Sequence, residues 1–303
     1  MVQSLFRWPF APFKALDLFH LMYLFALCLF YICIFKPFPP HPLVSMNNES
    51  NNNRSIKILF WNIRGMNSQE KWDAIRDKIS ESACQVLCIQ ETKRETFDYF
   101  YIKRFCPKSL DQFAFFPSVG ASGGLLTVWN SSIFDGSTVQ MNSYAITVKL
   151  VCKLDNKTFH VTNIYGPANP AQKLGFVTWL INLDSSEFDD WVLGGDFNLM
   201  RNPENRNKPG GDTGEMNMFN ELISDLDLVD IPFSGRNFSW SNMQADPLLV
   251  KLDWVFTKSS WTLSHPATFV QPLSRLLTLL NATTGYRRRR QKCPGRVTLF
   301  TIG

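Results

Sequence analysis

Four short blocks, far apart in the chain, each set an acid or an amide against an apolar run: Trp61-Asn62-Ile63-Arg64-Gly65, Gln90-Glu91-Thr92-Lys93, Gly195-Asp196-Phe197-Asn198 and Lys251-Leu252-Asp253. A buried strand that ends on a polar residue delivers it to a cleft. The chemistry such a set suits is metal-assisted hydrolysis of a phosphodiester. That reaction needs a cation on the non-bridging oxygens, an activated water in line, and help for the leaving oxygen. Mg²⁺ (or Mn²⁺) prefers carboxylate and amide oxygens and keeps several waters. Asn62 and Glu91 form the expected metal pair. Asn62 also reads as a turn residue bonding its own backbone, and Glu91 as a surface acid beside Lys93 and Arg94.

The sharpest signal is Trp191-Val192-Leu193-Gly194-Gly195-Asp196-Phe197-Asn198: an apolar strand, two glycines for close backbone approach, then an acid and an amide flanking a phenylalanine. If the chain stays extended, Asp196 and Asn198 face the same side. Asp196 can take a proton from water, and Asn198 can hold a phosphate oxygen without adding repulsive charge. Tyr165 ends the strand expected at Thr158–Tyr165, before Gly166-Pro167, where a phenol can contact a phosphate or simply fill a strand end. Asp253 lies between Leu252 and Trp254 on an alternating segment, faces away from both, and is a candidate to orient a histidine. Trp240, in Phe238-Ser239-Trp240, can stack on a base or fill core.

The elements that must carry these residues alternate. Strands are expected at Ile56–Trp61, Val86–Ile89, Phe113–Phe116, Gly124–Trp129, Ala145–Cys152, Thr158–Tyr165, Trp191–Leu193, Phe238–Trp240 and Leu252–Phe256. Amphipathic helices are expected after Ser68 (Trp72, Ile75 and Ile79 on one face), at Ala171–Asn182 and at Glu215–Leu226. Helices interleaved with hairpins imply an α/β fold of mixed sheets with helices outside.

The chain has 303 residues, 45% of them apolar, and carries a net charge of +5. The charge is uneven: from Leu276 onward there are six basic residues and no acid, and residues 56–275 stand at −3. Bulk charge therefore does not hold nucleic acid on the core, although a divalent ion offsets acids clustered in a cleft. The seven cysteines form no CxxC pair. Cys84 and Cys88 read as small buried thiols, and the odd count fits a reducing compartment.

Residues 1–55 read as a separate segment. Leu18 to Phe35 is apolar and aromatic apart from His20, a candidate signal anchor at the short edge of bilayer-spanning length. A Pro- and Asn-rich linker follows. Met46 offers an alternative start. The domain is expected over 56–275, with an atypical basic tail over 276–303 in which Leu276–Leu280 imitates a closing strand.

Taken together, the blocks resemble the endonuclease/exonuclease/phosphatase superfamily, and within it the apurinic-type endonuclease domain of plant LINE-like retroelements. The likeness also includes Ser122-Gly123-Gly124, Ile164-Tyr165-Gly166-Pro167 and Phe238-Ser239-Trp240. It implies a four-layer α/β sandwich of two packed mixed β-sheets with helices outside. It further implies a monomer acting on DNA, in the nucleus or cytoplasm unless the 18–35 segment anchors it to a membrane. By motif, Asn62 and Glu91 would bind Mg²⁺, and Asp196 would position or activate water beside Asn198. Tyr165 would contact phosphate, and Asp253 would pair with a histidine. The family's closing Ser-Asp-His block is absent: the chain reads Ser274-Arg275-Leu276, and its histidines are His20, His41, His160 and His265. The expected function is thus a metal-dependent phosphodiester hydrolase impaired by that loss. The alternatives are a dead pseudoenzyme of the same fold, or a membrane-associated phosphoesterase acting on lipid or inositol phosphates.

Overall fold

The computed structural model describes residues 55–183, 185–186, 188–273, 276–277, 291–292 and 296–302. The 18–35 segment lies outside them, and no helix among the described residues is long and apolar enough to cross a membrane. Strands β1 (Ile56–Asn62), β2 (Val86–Gln90), β3 (Gln112–Val119) and β4 (Ser122–Trp129) build the first sheet. Strands β5 (Phe134–Met141), β6 (Ala145–Cys152), β7 (Thr158–Tyr165), β8 (Trp191–Asp196) and β9 (Leu228–Asp230) begin the second. A small hairpin of β10 (Trp240–Ser241) and β11 (Leu249–Val250) precedes β12 (Asp253–Lys258) and β13 (Phe269–Pro272). Then come β14 (Leu276–Leu277), β15 (Gln291–Lys292) and β16 (Arg296–Ile302). The helices are α1 (Gln69–Ser82), α2 (Tyr99–Ile102), α3 (Pro170–Ile181), α4 (Thr213–Asp225) and α5 (Ser259–Ser264).

The two six-stranded sheets run in the orders β13-β16-β1-β2-β4-β3 and β5-β6-β7-β8-β12-β9. Each is mixed: β1 and β2 are parallel, as are β7 and β8, and the other pairings are antiparallel. Strand alternation divides the apolar side chains among three cores. Ile58 and Phe60 of β1, Val192 of β8 and Val255 of β12 meet between the sheets. Leu59, Trp61, Leu87 and Ile89 face α1 and α2. Trp191, Leu193, Trp254 and Phe256 face α3 and α4. The result is the four-layer α/β sandwich, helices outside two packed mixed sheets.

Several elements differ from the sequence reading: α2, α5, β9, β11 and β13 were not expected, and the strand expected at Phe238–Trp240 is the short β10, Trp240–Ser241. Phe134–Met141, Gly- and polar-rich, forms edge strand β5, whose solvent side needs no apolar residues. The larger difference concerns the tail. Leu276–Leu277 pairs only with Gln291–Lys292, so it does not serve as the closing strand. Arg296–Ile302 does: it lies between β13 and β1, antiparallel to both. Beyond the arginine run, Leu299 joins the outer core while Phe300 and Ile302 enter the core between the sheets. That period-two pattern makes it a strand despite the basic composition before it.

The sheets approach closely at Gly194, and β8 lies close on its neighbour β7 at Gly195. A Cβ on Gly194 would lie 2.5 Å from the Phe60 ring, and one on Gly195, at φ +136°, would lie 2.2 Å from the Ile164 carbonyl oxygen. We expect Gly194→Ala to cost about 1–3 kcal/mol by overpacking, and Gly195→Ala to cost more because backbone cannot yield. Both effects should be read as lowered thermal midpoints, and unchanged midpoints would refute this account of the double glycine.

Cys84, Cys88, Cys106 and Cys152 are buried free thiols. Burial pushes the Cys84 thiol up to about 11, and pushes Cys88 and Cys106 up as well. A raised thiol pKa leaves little thiolate at pH 8. Iodoacetamide should therefore spare these three residues in the native protein at pH 8 and modify them in denaturant, as read by peptide mass spectrometry.

Candidate active site

The ends of five strands from both sheets meet at one rim. In β1 the residues facing the second sheet are Ile58 and Phe60, and the next in the alternation is Asn62. In β8 the same alternation leads from Val192 through Gly194 to Asp196. The two side chains join across the gap: Asn62 Nδ2 donates to Asp196 Oδ2 at 2.7 Å. The backbone N–H of Arg64 donates to Asn62 Oδ1 at 3.2 Å, which orients the amide. Both residues are 1% exposed. The Asx-type turn expected of Asn62 and its contact with Asp196 thus occur together.

Tyr165 and Asp253 flank Asp196 within the second sheet. Tyr165 is its register partner on parallel β7, and Asp253 is its register partner on antiparallel β12. Asp253 and Val255 face the first sheet while Trp254 and Phe256 face the helices, so the alternation read from the sequence describes Asp253 correctly. Ser239, which sequence reasoning passed over, accepts from the backbone N–H of Leu252 at 3.0 Å and of Asp253 at 3.1 Å. Trp240 is half-buried on the β10–β11 hairpin, next to Ser239. Lys251 turns away to Asp230, 3.0 Å distant, with its ammonium 3.8 Å over the Trp254 ring. Burial lowers its pKa against the pull of Asp230.

Asn198 reaches the site by a different route from the extended chain expected. Its φ is +53°. Its N–H donates to Asp196 Oδ1 at 3.2 Å and its Nδ2 donates to the Gly166 carbonyl at 2.8 Å. Asparagine tolerates the left-handed region because its side chain bonds locally. The turn, rather than period two, brings Asp196 and Asn198 together.

Glu91 also sits in the left-handed region, at φ +55°, as do Arg64 at +53° and Lys93 at +54°. Four non-glycine residues in that region, at the ends of β1, β2 and β8, mark strain held by the surroundings, and such strain concentrates at functional sites. Gly65 N–H bonds the Glu91 carbonyl at 2.7 Å, and Thr92 and Lys93 N–H bond Gly124 and Gly123 at 3.0 Å each. The Glu91 side chain, 19% exposed, pairs with the Lys93 ammonium at 3.2 Å.

Behind the rim lies Asn163, fully buried between the sheets. Its Oδ1 accepts from Gln90 Nε2 at 2.6 Å, and its Nδ2 donates to the Ile89 and Leu126 carbonyls at 3.2 and 3.1 Å. An amide between Thr162 and Ile164 in a strand expected to be buried was the available signal for it.

The expected histidine partner of Asp253 is not among the described residues at this rim. His160 lies near the start of β7, stacked on Phe188 at 4.4 Å. His265 stacks on Trp261 at 4.3 Å in a small pocket with Ile56 and Thr158, the opposite ends of β1 and β7. It therefore does not reach Asp253, and burial lowers its pKa although Asp190 opposes the shift. His20 and His41 lie outside the described residues. The position opposite Asn62 on the closing strand is Arg296.

The donor set suits a hard cation. Asp196 and Asp253 stand opposite each other in register, an arrangement of like charges that a cation relieves. Glu91 and the Asn62 amide add oxygen donors. Among the described residues no group of three or more His, Cys, Asp or Glu is placed to hold a metal ion.

The model of the Endonuclease/Exonuclease/phosphatase family matches residues 59–284. A comparison with curated proteins gives no match. Among solved structures, the AP endonuclease LMAP from Leishmania major is 16% identical with a TM-score of 0.59, covering 86% of this chain and 92% of that one. The 3'-5' exonuclease NExo from Neisseria meningitidis is 13% identical with a TM-score of 0.57, covering 82% and 99%. The endonuclease domain of TRAS1, a telomere-specific non-LTR retrotransposon, is 10% identical with a TM-score of 0.55, covering 82% and 98%. At these identities the structures speak for the fold, and the match over most of the chain speaks for descent: the protein belongs to the endonuclease/exonuclease/phosphatase family.

Proposed function

We propose that the chain is a Mg²⁺-dependent phosphodiester hydrolase acting on DNA, with a rate limited by the loss of the family's closing Asp-His block. The observation that supports it most is the Asn62–Asp196 bond, which joins the two sheets at the rim where Glu91, Asn198, Tyr165 and Asp253 gather. Asn62 and Glu91 would hold the cation, which when bound supplies charge neutralisation at the phosphate oxygens. Asp196, held by Asn62 and the Asn198 N–H, takes a proton from the attacking water. Asn198 and the Tyr165 hydroxyl bind phosphate oxygens as neutral donors. Asp253, fixed through the Ser239-bonded backbone, orients whatever donor serves the leaving oxygen. Descent from a retroelement rests on the wording of the motifs, and a lipid or inositol phosphate substrate draws no support from the described residues.

The full chain with Mg²⁺ should nick supercoiled plasmid slowly, and EDTA should stop it. Glu91→Gln and Asp196→Asn should each lower the rate by about 100-fold or more, the scale for removing one member of a concerted site. Nicking that survives both substitutions would overturn the assignment. Plasmid binding without metal-stimulated nicking would favour the pseudoenzyme reading, which the absence of a described histidine beside Asp253 also favours.

Arg296 holds the register position opposite Asn62, so a histidine belongs there rather than at Leu276. We expect Arg296→His to raise nicking by about tenfold, within the range for restoring an acid–base group. Arg275→Asp with Leu276→His should leave it unchanged. The reverse ranking would show that the strand closing the sheet does not carry the missing group.

A further inference from the structure

Beside the rim lies a cavity of about 440 Å³ between the β3–β4 hairpin and the segment joining β7 to α3. Its lining includes Phe116, Tyr144, Tyr165, Asn169 and Gln172, and no lining residue is charged. Each wall is tied to a catalytic loop. On one side Gly123 and Gly124 accept the N–H bonds of Lys93 and Thr92, next to Glu91. On the other, Gly166 donates to the Asp196 carbonyl at 2.7 Å and accepts from Asn198 Nδ2 at 2.8 Å. Tyr165 belongs to both places, lining the cavity and standing beside Asp196 in register.

We infer that this cavity is a nucleobase subsite, taking one unstacked base of the strand whose phosphate lies at the rim. The inference rests on the phosphodiesterase reading and narrows its substrate to a nucleic acid with an unpaired base next to the scissile bond. The chemistry of the lining carries it. A cavity of this size lies within the range for small-ligand sites. Aromatic rings offer stacking surface to any base, and amides read the donors and acceptors on a base edge. The Asn169 Oδ1 caps α3 by accepting from Ala171 N–H. The Gln172 amide, exposed on the first turn of α3, makes no hydrogen bond with the described residues and is available to a base edge. A phosphorylated inositol headgroup would instead need cations on the wall, and this wall has none. A base carries no charge, so it can leave water for a neutral cavity while its own phosphate stays outside.

The test uses the full chain with Ca²⁺ in place of Mg²⁺ and a labelled single-stranded DNA 8-mer. A second 8-mer has the same phosphates but carries tetrahydrofuran in place of every base. The base-bearing strand should bind about tenfold tighter by fluorescence anisotropy, a modest return for stacking one base. Ala168→Trp, which fills the cavity from an exposed position, and Gln172→Ala, on the helix surface, should each reduce that preference and leave affinity for the base-free strand unchanged. Equal binding of the two strands by the wild type overturns the subsite while leaving the phosphodiesterase reading intact. A preference that persists in both variants does the same. Binding of neither strand removes both readings together, as does competition by inositol bisphosphate that exceeds competition by deoxyadenosine monophosphate.

Discussion

Everything at the rim depends on how closely two β-sheets can approach. Sheets that pack face to face are held apart by their side chains at roughly 10 Å. Here the Phe60 ring lies against Gly194, where no side chain intervenes. That local closeness lets an amide on one sheet and a carboxylate on the other meet directly, Asn62 to Asp196. Neither sheet alone presents a site. The first supplies Asn62 and, through the loop after β2, Glu91; the second supplies Tyr165, Asp196 and Asp253. A change in sheet separation would pull the two halves apart without altering any member of either.

The buried amide of Asn163 serves the same end one layer deeper. It bonds Gln90 and the backbone of β2 and β4. A polar group placed there is costly if unsatisfied and directional if satisfied. It therefore specifies how far β7 slides along β2, which apolar contacts alone would leave loose. The strained turns at Arg64, Glu91, Lys93 and Asn198 lie directly beyond these fixed strand ends, where a rigid support can hold an unfavourable backbone.

Much of this was legible in the sequence, and the reasons differ by residue. Ala145–Cys152 and Thr158–Tyr165 match β6 and β7 to the residue, because alternating β-branched and aromatic residues state both the period and the buried face. Asp253 was readable for the same cause. Asn198 was readable as a neighbour of Asp196 but not in its geometry, since a left-handed turn leaves no trace in hydropathy. Ser239 was invisible because it acts on backbone N–H groups fourteen residues away or nearly so. The final strand was concealed by the arginine run before it: composition averaged over 276–303 hides a seven-residue stretch of β-branched and apolar residues. Distance in the chain was no obstacle where each strand end carried its own polar residue, and it became one where a position was defined only by its partner.

That last strand has a consequence for how the molecule is made. Strand β1 opens the described fold and pairs on one side with β2, soon after it, and on the other with β16, the last strand of either sheet among the described residues. As a ribosome delivers the protein, the outer edge of β1, with its run Ile58-Leu59-Phe60-Trp61, waits for a mate that is synthesised after every other described strand of the two sheets. An unpaired apolar edge is a template for pairing with another molecule, and contacts of long sequence separation form slowly. The first sheet thus stays open until β16 is made, and a chain cut before Arg296 would remain in that state.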